Sequence, residues 1–184
     1  STRVSAVAVL DKASVKEPVD GVNIEDGKLT FNVEPGLLTA KGPVKLNGIP
    51  AQLQWSRPTG HDAPDMDKFQ IEASFDDDAR QKLGVKLGDY MSGPVKVKVT
   101  AEQKEGRVPK AHVEADLAKT SLRIDPVGWF RPATPKTSAE FNLDLLDASR
   151  IAIKDLRIGG GDMDVRGSID IDGKGAVEAS FSRF

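Results

Sequence analysis

Apolar and polar residues alternate along most of this chain. The stretch SGPVKVKVTAE places Val95, Val97 and Val99 on one side of an extended backbone and Lys96 and Lys98 on the other. Successive side chains of a β-strand point to opposite faces of the sheet, so a period of two predicts a strand with one apolar and one polar face. An extended apolar face has to be covered, and the nature of that cover is the functional question that the pattern raises.

The same period recurs in many other segments, which are separated by turn-forming Gly, Asp and Pro residues. The pair Asp26-Gly27 predicts a hairpin turn between the segments VDGVNIE and KLTFNVEPG. In the last part of the chain, the glycines at 159–161 and the pair Asp172-Gly173 predict a run of short strands, in which Ile151 and Ile153 lie on one strand and Leu156 and Ile158 on the next. The predicted inward-facing residues of all these segments are Leu29, Phe31, Val33, Val44, Leu46, Ala51, Leu53, Trp55, Phe69, Ile71, Ala73, Phe75, Val113, Ala115, Leu117, Leu122, Ile124, Phe141, Leu143, Leu145, Ile151, Ile153, Leu156, Ile158, Met163, Val165, Ile169, Ile171, Val177, Ala179 and Phe181.

Only the segment DDDARQKLGVKL favours a helix. Three acidic residues stand at its start and Gly84 follows near its end, an arrangement that suits the two ends of a helix. We expect one short helix from about Asp76 to Leu83. The proline-rich segment Asp125–Thr137 is expected to be a loop or an irregular crossing.

These elements together predict an all-β fold of about a dozen short strands. Strands joined by short turns usually pair with their neighbours, which favours an antiparallel meander. We therefore expect a curved antiparallel meander, a half-pipe or a folded sheet with an apolar inner face, and one short helix. The polar loop Ser56–Asp67 is the predicted internal boundary: residues 1–60 form an N-terminal β segment, and residues 61–184 continue the same elongated sheet.

The chain is expected to be a fragment of a longer protein. It has no initiator methionine or signal peptide, and it both opens and ends in strand-like segments, VSAVAVL and AVEASFSRF. No apolar run approaches the roughly 20 residues that a membrane-spanning helix needs.

Charge and cysteine content narrow the range of functions. The 26 basic and 28 acidic residues give a net charge of −2 and are mixed along the chain. Nucleic-acid binding requires clustered Lys and Arg, so no nucleic-acid partner is expected. Cysteine is absent, which excludes a disulfide framework, thiolate zinc sites and a cysteine nucleophile.

No catalytic or metal site stands out in the sequence. The two histidines, His61 and His112, lie near no recognisable nucleophile motif, and surface positions account for both. The run Asp76–Asp78 suits a solvated helix start better than a calcium site. The segment GGGDMDVRG resembles a single copy of a calcium-binding repeat that works only when copies are stacked. We therefore predict no catalytic residues, no metal ligands, no cofactor and no enzymatic activity.

Three longer segments carry a family resemblance. In KGPVKLNGIPAQLQWSRP a strand, the phrase G-x-P-A and an aromatic-ended strand follow one another. RQKLGVKLGDYMSGPVKVKVTAE joins a short helix, L-G, and Y-x-S-G-P-V opening a strand, and VEADLAKTSLRIDPVGWFRP joins A-D-L, a strand and a G-W-x-x-P turn. In this order, and with the Gly- and Asp-rich strands that follow, they resemble the YhdP-like branch of the AsmA-like superfamily, a domain of unknown function within large envelope proteins. Phe130 departs from the pattern, because a basic residue is expected directly after Trp129.

The resemblance implies a location and a role. Such proteins are anchored in the bacterial inner membrane by an N-terminal helix, which here would lie outside the fragment, and they extend through the periplasm. They are long, curved β-sheets with an apolar groove, similar in form to bridge-like lipid transfer proteins. The resemblance implies that they move phospholipids toward the outer membrane and maintain its barrier, with no catalytic motif and no cofactor.

The pattern and the resemblance both lead to the apolar face as the candidate site, with phospholipid and the rest of its own longer chain as the expected partners. The alternative is a non-catalytic scaffold or interaction module whose own strands close the core. We also expect Val95, Val97 and Val99 to contact the same apolar interior as Leu53, Trp55, Phe69, Ile71 and Phe75. The expected lipid-facing residues are Leu29, Phe31, Val33, Leu53, Trp55, Phe69, Ile71, Phe75, Val95, Val97, Val99, Phe141, Leu143 and Leu145.

Overall fold

The computed structural model describes residues 5–19, 22–82, 90–104, 110–124, 128–147, 150–161, 163–171 and 177–183. More than half of the chain lies in strands. The strands are β1 (Ala6–Val19), β2 (Val22–Glu34), β3 (Leu37–Leu46), β4 (Ile49–Pro58), β5 (Met66–Phe75), β6 (Met91–Ser92), β7 (Val95–Lys104), β8 (Lys110–Asp116), β9 (Ser121–Ile124), β10 (Trp129–Arg131), β11 (Ser138–Asp147), β12 (Arg150–Gly160), β13 (Met163–Ile171) and β14 (Val177–Arg183). The helix α1 spans Asp77–Lys82.

The strands pair mostly in chain order. Eleven strands follow the order β1-β2-β3-β4-β5-β7-β8-β11-β12-β13-β14, and a small sheet has the order β10-β9-β6. The strand pairs whose register is described are antiparallel. β1 and β14 are the edge strands of the eleven-stranded sheet, which is not closed into a barrel. The predicted antiparallel meander with one short helix is confirmed.

The chain divides into two compact units. Unit 1 comprises Ser1–Ala73 and Val99–Pro109, and unit 2 comprises Ser74–Lys98 and Lys110–Phe184. The loop that was predicted as the internal boundary lies within unit 1. It joins β4 to β5, and these two strands pair with each other along six residues, from Ala51 opposite Ala73 to Ser56 opposite Lys68. A polar loop between two strands that pair with each other is a hairpin connection, so it does not separate residues 1–60 from the rest of the chain.

The predicted hairpin at Asp26-Gly27 is wrong, because β2 runs straight through this pair. A two-residue hairpin of the Asn-Gly or Asp-Gly type needs positive φ at both residues, whereas here Asp26 has a φ of 49° and Gly27 is not among the residues with positive φ. Between the pairs Glu25–Lys45 and Thr30–Lys41, four residues of β2 lie opposite three of β3, which is a β-bulge. The Asn47-Gly48 pair does have positive φ at both residues, and it forms the turn between β3 and β4.

A second bulge corrects another expectation. Ile151 to Ile153 and Leu156 to Ile158 were predicted as separate short strands, but they belong to the single strand β12. The register of β12 shifts between Ile153 and Leu156, where Asp155 has a φ of 54°. Because of this extra residue, Ile153 and Leu156 lie on the same face of the sheet and the chain needs no turn between them.

The helix α1 begins where the acidic run predicts. Asp76 is its N-cap: its Oδ1 accepts a hydrogen bond of 2.8 Å from the backbone N–H of Ala79. Arg80, on the same helix, is only 7% exposed. Its guanidinium donates to the carbonyl oxygens of Phe75 at 3.1 Å and Gly93 at 2.8 Å, and it pairs with Asp77. This arginine clasp, formed by Arg80 and those three partners, joins the end of β5 to the segment just before β7. The predicted end of the helix, Leu83, lies outside the described residues.

Each unit has its own apolar cluster. Cluster 1, in unit 1, has the buried residues Leu29, Val44, Leu46, Ala51 and Leu53, with Ala13, Ile24, Phe31, Phe69, Ile71 and Ala73 packed around them. Cluster 2, in unit 2, has the buried residues Val95, Leu117 and Ala139, with Met91, Val97, Ala115, Leu122 and Ile158 packed around them.

Candidate functional site

The apolar face of unit 1 is built from side chains that line up across neighbouring strands. Phe31 lies opposite Ala8 on one side and Ala40 on the other. Ala40 lies opposite Trp55, and Trp55 opposite Phe69. These five residues, from β1 to β5, form what we name the central row. Residues directly opposite in an antiparallel sheet share a face, so the row is continuous across five strands.

A second row runs beside the central one. Leu10 lies opposite Leu29, and Leu53 lies opposite Ile71. Gly42, opposite Leu53, is at the centre of this row, with a φ of 156°. A Cβ atom at Gly42 would lie 2.0 Å from the carbonyl oxygen of Lys28, so only glycine allows β2 and β3 to approach so closely here.

Burial falls from the centre of this face toward two of its margins. Leu29 and Leu53 are 8% and 7% exposed, and the aromatic side chains of the central row are half-buried. Leu10 and Val33, which lie on the same face of β1 and β2, are 48% and 41% exposed. We name this exposed pair the rim. The face therefore combines a covered centre with apolar side chains that solvent can reach.

Polar groups border the face beside the aromatic residues. The rings of Phe31 and Trp55 are tilted by 57° with centroids 6.3 Å apart, a geometry that favours aromatic pairs. The indole Nε1–H of Trp55 donates to Oδ1 of Asp67 at 3.0 Å. Asp67 also accepts from Arg57 at 3.5 Å, and Arg57 pairs with Asp65. The hydrogen bond fixes the indole, so that its apolar part stays on the inner face.

The opposite face of each unit carries ion pairs. In unit 1, Lys45 and Asp26 are 2.8 Å apart. Their hydrogen bond and mutual attraction lower the pKa of Asp26 and raise the pKa of Lys45. In unit 2, Lys154 and Asp144 are 2.6 Å apart, and their hydrogen bond lowers the pKa of Asp144 and raises that of Lys154. Exposed pairs of this kind contribute little to stability, but they show which face meets water.

A shallow open depression of about 560 Å³ also lies in unit 1. Six of its ten lining residues are polar residues of the opposite face of the sheet, namely Lys28, Thr30, Lys41, Gln52, Gln54 and Glu72. The depression therefore lies mainly on the other side of the sheet from the central row.

The structure distributes the expected lipid-facing residues over both clusters. Leu29 and Leu53 are in the buried part of cluster 1, with Phe31, Phe69 and Ile71 packed around them. Val95 and Val97 belong to cluster 2. The others with described side chains are half-buried, namely Trp55, Phe75, Val99, Phe141 and Leu143, or exposed, namely Val33; the side chain of Leu145 lies outside the described residues.

Of the three valines of β7 that were expected to share an interior with Leu53 and Phe69, Val95 and Val97 belong to cluster 2, and Val99 lies in unit 1 with those two residues. The alternation in β7 correctly identified an apolar face, since Val95 is buried. A period of two determines which face a side chain is on, but not which other side chains it meets. The start of β7 packs with Leu117 and Ala139, which come later in the chain.

Two members of cluster 1 were not predicted from the alternation. Ala13 and Ile24 pack against the cluster, but each is out of phase with its strand's other inward residues, because a bulge separates Ala13 from Leu10 and Ile24 from Leu29. The change of phase in the alternation was itself the signal that could have found them.

The histidine of β8 has polar neighbours on the adjacent strand β11. His112 lies on the polar face of β8, with its Nδ1 2.9 Å from Oδ1 of Asn142 and its Nε2 3.6 Å from Glu140. Within the same described ranges, no three His, Cys, Asp or Glu side chains come together in a group that could hold a metal ion.

The part of the chain that the structure describes contains no helix long and apolar enough to cross a membrane. Comparisons with protein-family models, with curated proteins and with solved structures found no significant match.

Proposed function

We propose that this chain is a segment of a periplasmic AsmA-like protein whose apolar sheet face guides phospholipid between the inner and outer membranes and so maintains the outer-membrane barrier. The observation that carries the proposal is the continuous central row across β1 to β5, bordered by the exposed rim residues Leu10 and Val33. The exposed rim extends the apolar face to solvent as one contiguous surface, and large contiguous apolar surfaces are typical of binding sites.

The length of the central row is sufficient for an acyl chain. Neighbouring strands are about 4.7–4.9 Å apart, so a row across five strands extends about 19 Å. The acyl chains of one leaflet occupy about half of the roughly 30 Å hydrocarbon core of a bilayer, or about 15 Å. One acyl chain laid along the row would contact apolar groups over its whole length.

The resemblance supplies the biological setting of the proposal. In that setting the full-length protein belongs to the bacterial cell envelope and is held in the inner membrane by an N-terminal helix outside this segment. The rest of the same chain is its first partner, and phospholipid is its cargo. No catalytic step and no cofactor enter the proposal, because lipid would move by partitioning along the apolar face.

The rim allows a test that spares the core. In the Leu10→Asp and Val33→Asp variants a charge replaces an exposed apolar side chain on the inner face, where an acyl chain would pass, and burying that charge under lipid is unfavourable. Val7 and Val9 are the matched controls, because they are exposed on β1, the strand that carries Leu10, but face the opposite side of the sheet.

The measurement is mass spectrometry of an organic extract of each purified protein, beside its thermal melt. We expect phospholipid in the wild-type extract, a severalfold loss in the two rim variants, and no loss in the Val7→Asp and Val9→Asp variants. Wild-type protein that carries no phospholipid, or rim variants that keep all of it, would refute the proposal.

One observation favours the second candidate, a scaffold module with a closed core. The centre of cluster 1 is covered, with Val44, Leu46, Ala51 and Leu53 all buried. In a closed module the rim variants and the controls would have the same effect, and no lipid would be recovered from any of them.

A further inference from the structure

The strand β1 has no strand partner along one of its two edges among the described residues. It is the first strand in the order of the larger sheet and pairs with β2 on one side only. The backbone N–H and C=O groups that point away from β2 are therefore open to another strand. A row of such groups is the surface on which a further β-strand can be added, so the chemistry of this edge favours an extended backbone as its occupant.

One half of β1 is protected against such pairing and the other half is not. Natural edge strands are protected by charged side chains, by bulges and by proline. In the second half of β1, Asp11 and Lys12 carry charges, the register with β2 shifts just after Lys12, and Pro18 has no N–H to donate. The residues before them, Ala6–Leu10, have none of these features and pair with β2 in unbroken register. We name these five residues the open segment.

The open segment is apolar on both faces of the sheet. Val7 and Val9 lie on the face opposite the central row, and they are 70% and 60% exposed. Leu10, on the same face as the central row, is 48% exposed. An exposed apolar edge of this kind pairs readily with another strand. The strand that covers it has to be apolar on both faces as well.

The open segment itself meets that requirement. Two copies of the chain related by a two-fold axis at Ala8 would pair antiparallel, with Ala8 opposite Ala8 of the other copy. Val7 would then lie opposite Val9, and Ala6 opposite Leu10. Opposite residues in an antiparallel pair share a face and contact each other, so each of the five apolar side chains would meet an apolar side chain.

The polar residues that flank the open segment select this register over its neighbours. With the axis at Ala8, Ser5 lies opposite Asp11 of the other copy, and both are polar and exposed. An axis at Val9 would place Asp11 opposite Val7, and an axis at Val7 would place Ser5 opposite Val9. Either shift would bring a polar side chain against an apolar one at both ends of the pairing. The edge is therefore complementary to itself in one register.

We infer that the occupant of the open segment is a second copy of this chain, and that the two copies join into one continuous antiparallel sheet. The strands β1 to β5 of both copies then lie side by side, and their two central rows meet at Ala8, which ends each row. With strands about 4.7–4.9 Å apart, the joined row extends about 43 Å over ten strands. Both copies use the same segment, so the assembly closes as a dimer.

The dimer is expected to be weak and to depend on protein concentration. A standard interface uses about 20–30 residues per partner, whereas the open segment has only five. The experiment is sedimentation velocity of the whole chain over about a hundredfold range of concentration. We expect monomer at the low end of this range, dimer at the high end, and no larger species.

Paired substitutions test the register. Val7→Lys/Val9→Lys would place lysine opposite lysine twice about the axis, which should raise the dimer dissociation constant at least about tenfold. Val7→Lys/Val9→Glu would place each lysine opposite a glutamate and should leave the constant within about threefold of wild type. Val15→Lys is the matched control, because Val15 is 50% exposed on the same strand outside the open segment. It should dimerise like wild type, and thermal melts establish that each variant is folded.

The outcomes separate this inference from the proposed lipid-conducting face. A wild type that stays monomeric, or a Val7→Lys/Val9→Lys variant that dimerises like it, would overturn the inference. So would a Val7→Lys/Val9→Glu variant as weak as the double lysine one, a Val15→Lys variant that is equally weak, or species that grow beyond the dimer. The inference does not rest on the proposed function, because molecular mass reports on the edge of β1 and the lipid content of an extract reports on the inner face.

Discussion

The arginine clasp is the interaction whose loss we expect to destabilise unit 2 most clearly. Replacing Arg80 by Ala removes a nearly buried guanidinium that donates to the carbonyl oxygens of Phe75 and Gly93. Both carbonyls then lose a charged donor, and the space left by the side chain lies between the helix and the strand that follows.

The size of the effect follows from the three contacts. A hydrogen bond to a charged group contributes about 1.5–3 kcal/mol, so the two carbonyl bonds together amount to about 3 kcal/mol or more. The carboxylate partner, Asp77, has a side chain that is 50% exposed, so water can solvate it when the arginine is gone and the ion pair adds only about 0–1 kcal/mol. We expect Arg80→Ala to lower the free energy of unfolding by about 3–4 kcal/mol, and the melting temperature by about 10 °C.

Thermal unfolding followed by circular dichroism measures this loss, and hydrogen exchange locates it. Amides of α1 and of the start of β7 should exchange faster, because the clasp holds these segments together. Arg80→Lys should retain part of the stability, since an ammonium group can still donate to one carbonyl. Lys82→Ala is the matched control on the exposed side of the same helix, with an expected effect within about 0.5 kcal/mol. An Arg80→Ala protein that melts within about 2 °C of wild type would show that this reasoning is wrong.

Three further predictions concern the cap, β7 and an ion pair. Asp76→Ala should lower the free energy of unfolding by about 1 kcal/mol, measured by urea titration, because the helix loses its N-cap; an unchanged midpoint would contradict the assignment. Val95→Asp should unfold unit 2, whereas Val97→Asp should leave it folded with a lower melting temperature, because only Val95 is fully buried; equal melts of the two variants would show that burial does not separate these positions. The lowered pKa of Asp144 stabilises the fold above the ordinary value of 3.8, and this increment is lost as the pH falls through the lowered pKa. Melts from about pH 2 to pH 6 should therefore show a smaller acid-induced loss in Lys154→Met than in wild type, and identical profiles would exclude the pair as a source of pH dependence.

The alternation of apolar residues was sufficient to predict the fold class and the faces of most strands. Leu29 and Leu53 were placed on an inner face by period alone, and both are buried in cluster 1. The N-terminal end of the helix was also predictable, since three consecutive aspartates have a specific effect at a helix start.

Breaks in the alternation were harder to interpret. A hairpin turn and a β-bulge both use Asp or Gly with positive φ, so Asp26 and Asp155 gave the same signal as a chain reversal. Only the pairing of the neighbouring strands distinguishes the two, and that pairing is a long-range property.

The candidate sites could not be predicted from the sequence for the same reason, because they too depend on strand pairing. The central row depends on which residues of five strands lie opposite one another. A shift of one residue in any of these registers would move one strand's side chain to the other face and interrupt the row. The small sheet depends on three very short strands, and its residues Met91 and Arg131 are 40 positions apart in the chain. Neither arrangement has a local sequence signature from which it could be predicted.

The bulges mark the positions at which a strand of this sheet can lose one residue and still keep its apolar side chains on one face. Ile24 and Leu29 share a face although they are five positions apart, and Ile153 and Leu156 share one although they are three apart. Deleting one residue at Asp26 or Asp155 would turn these odd separations into the even ones of a regular strand, and every apolar side chain would stay on its side. The same deletion inside a regular stretch would exchange the two faces of everything beyond it. Related chains that differ by a single insertion or deletion within β2 or β12 should therefore carry it at these two positions.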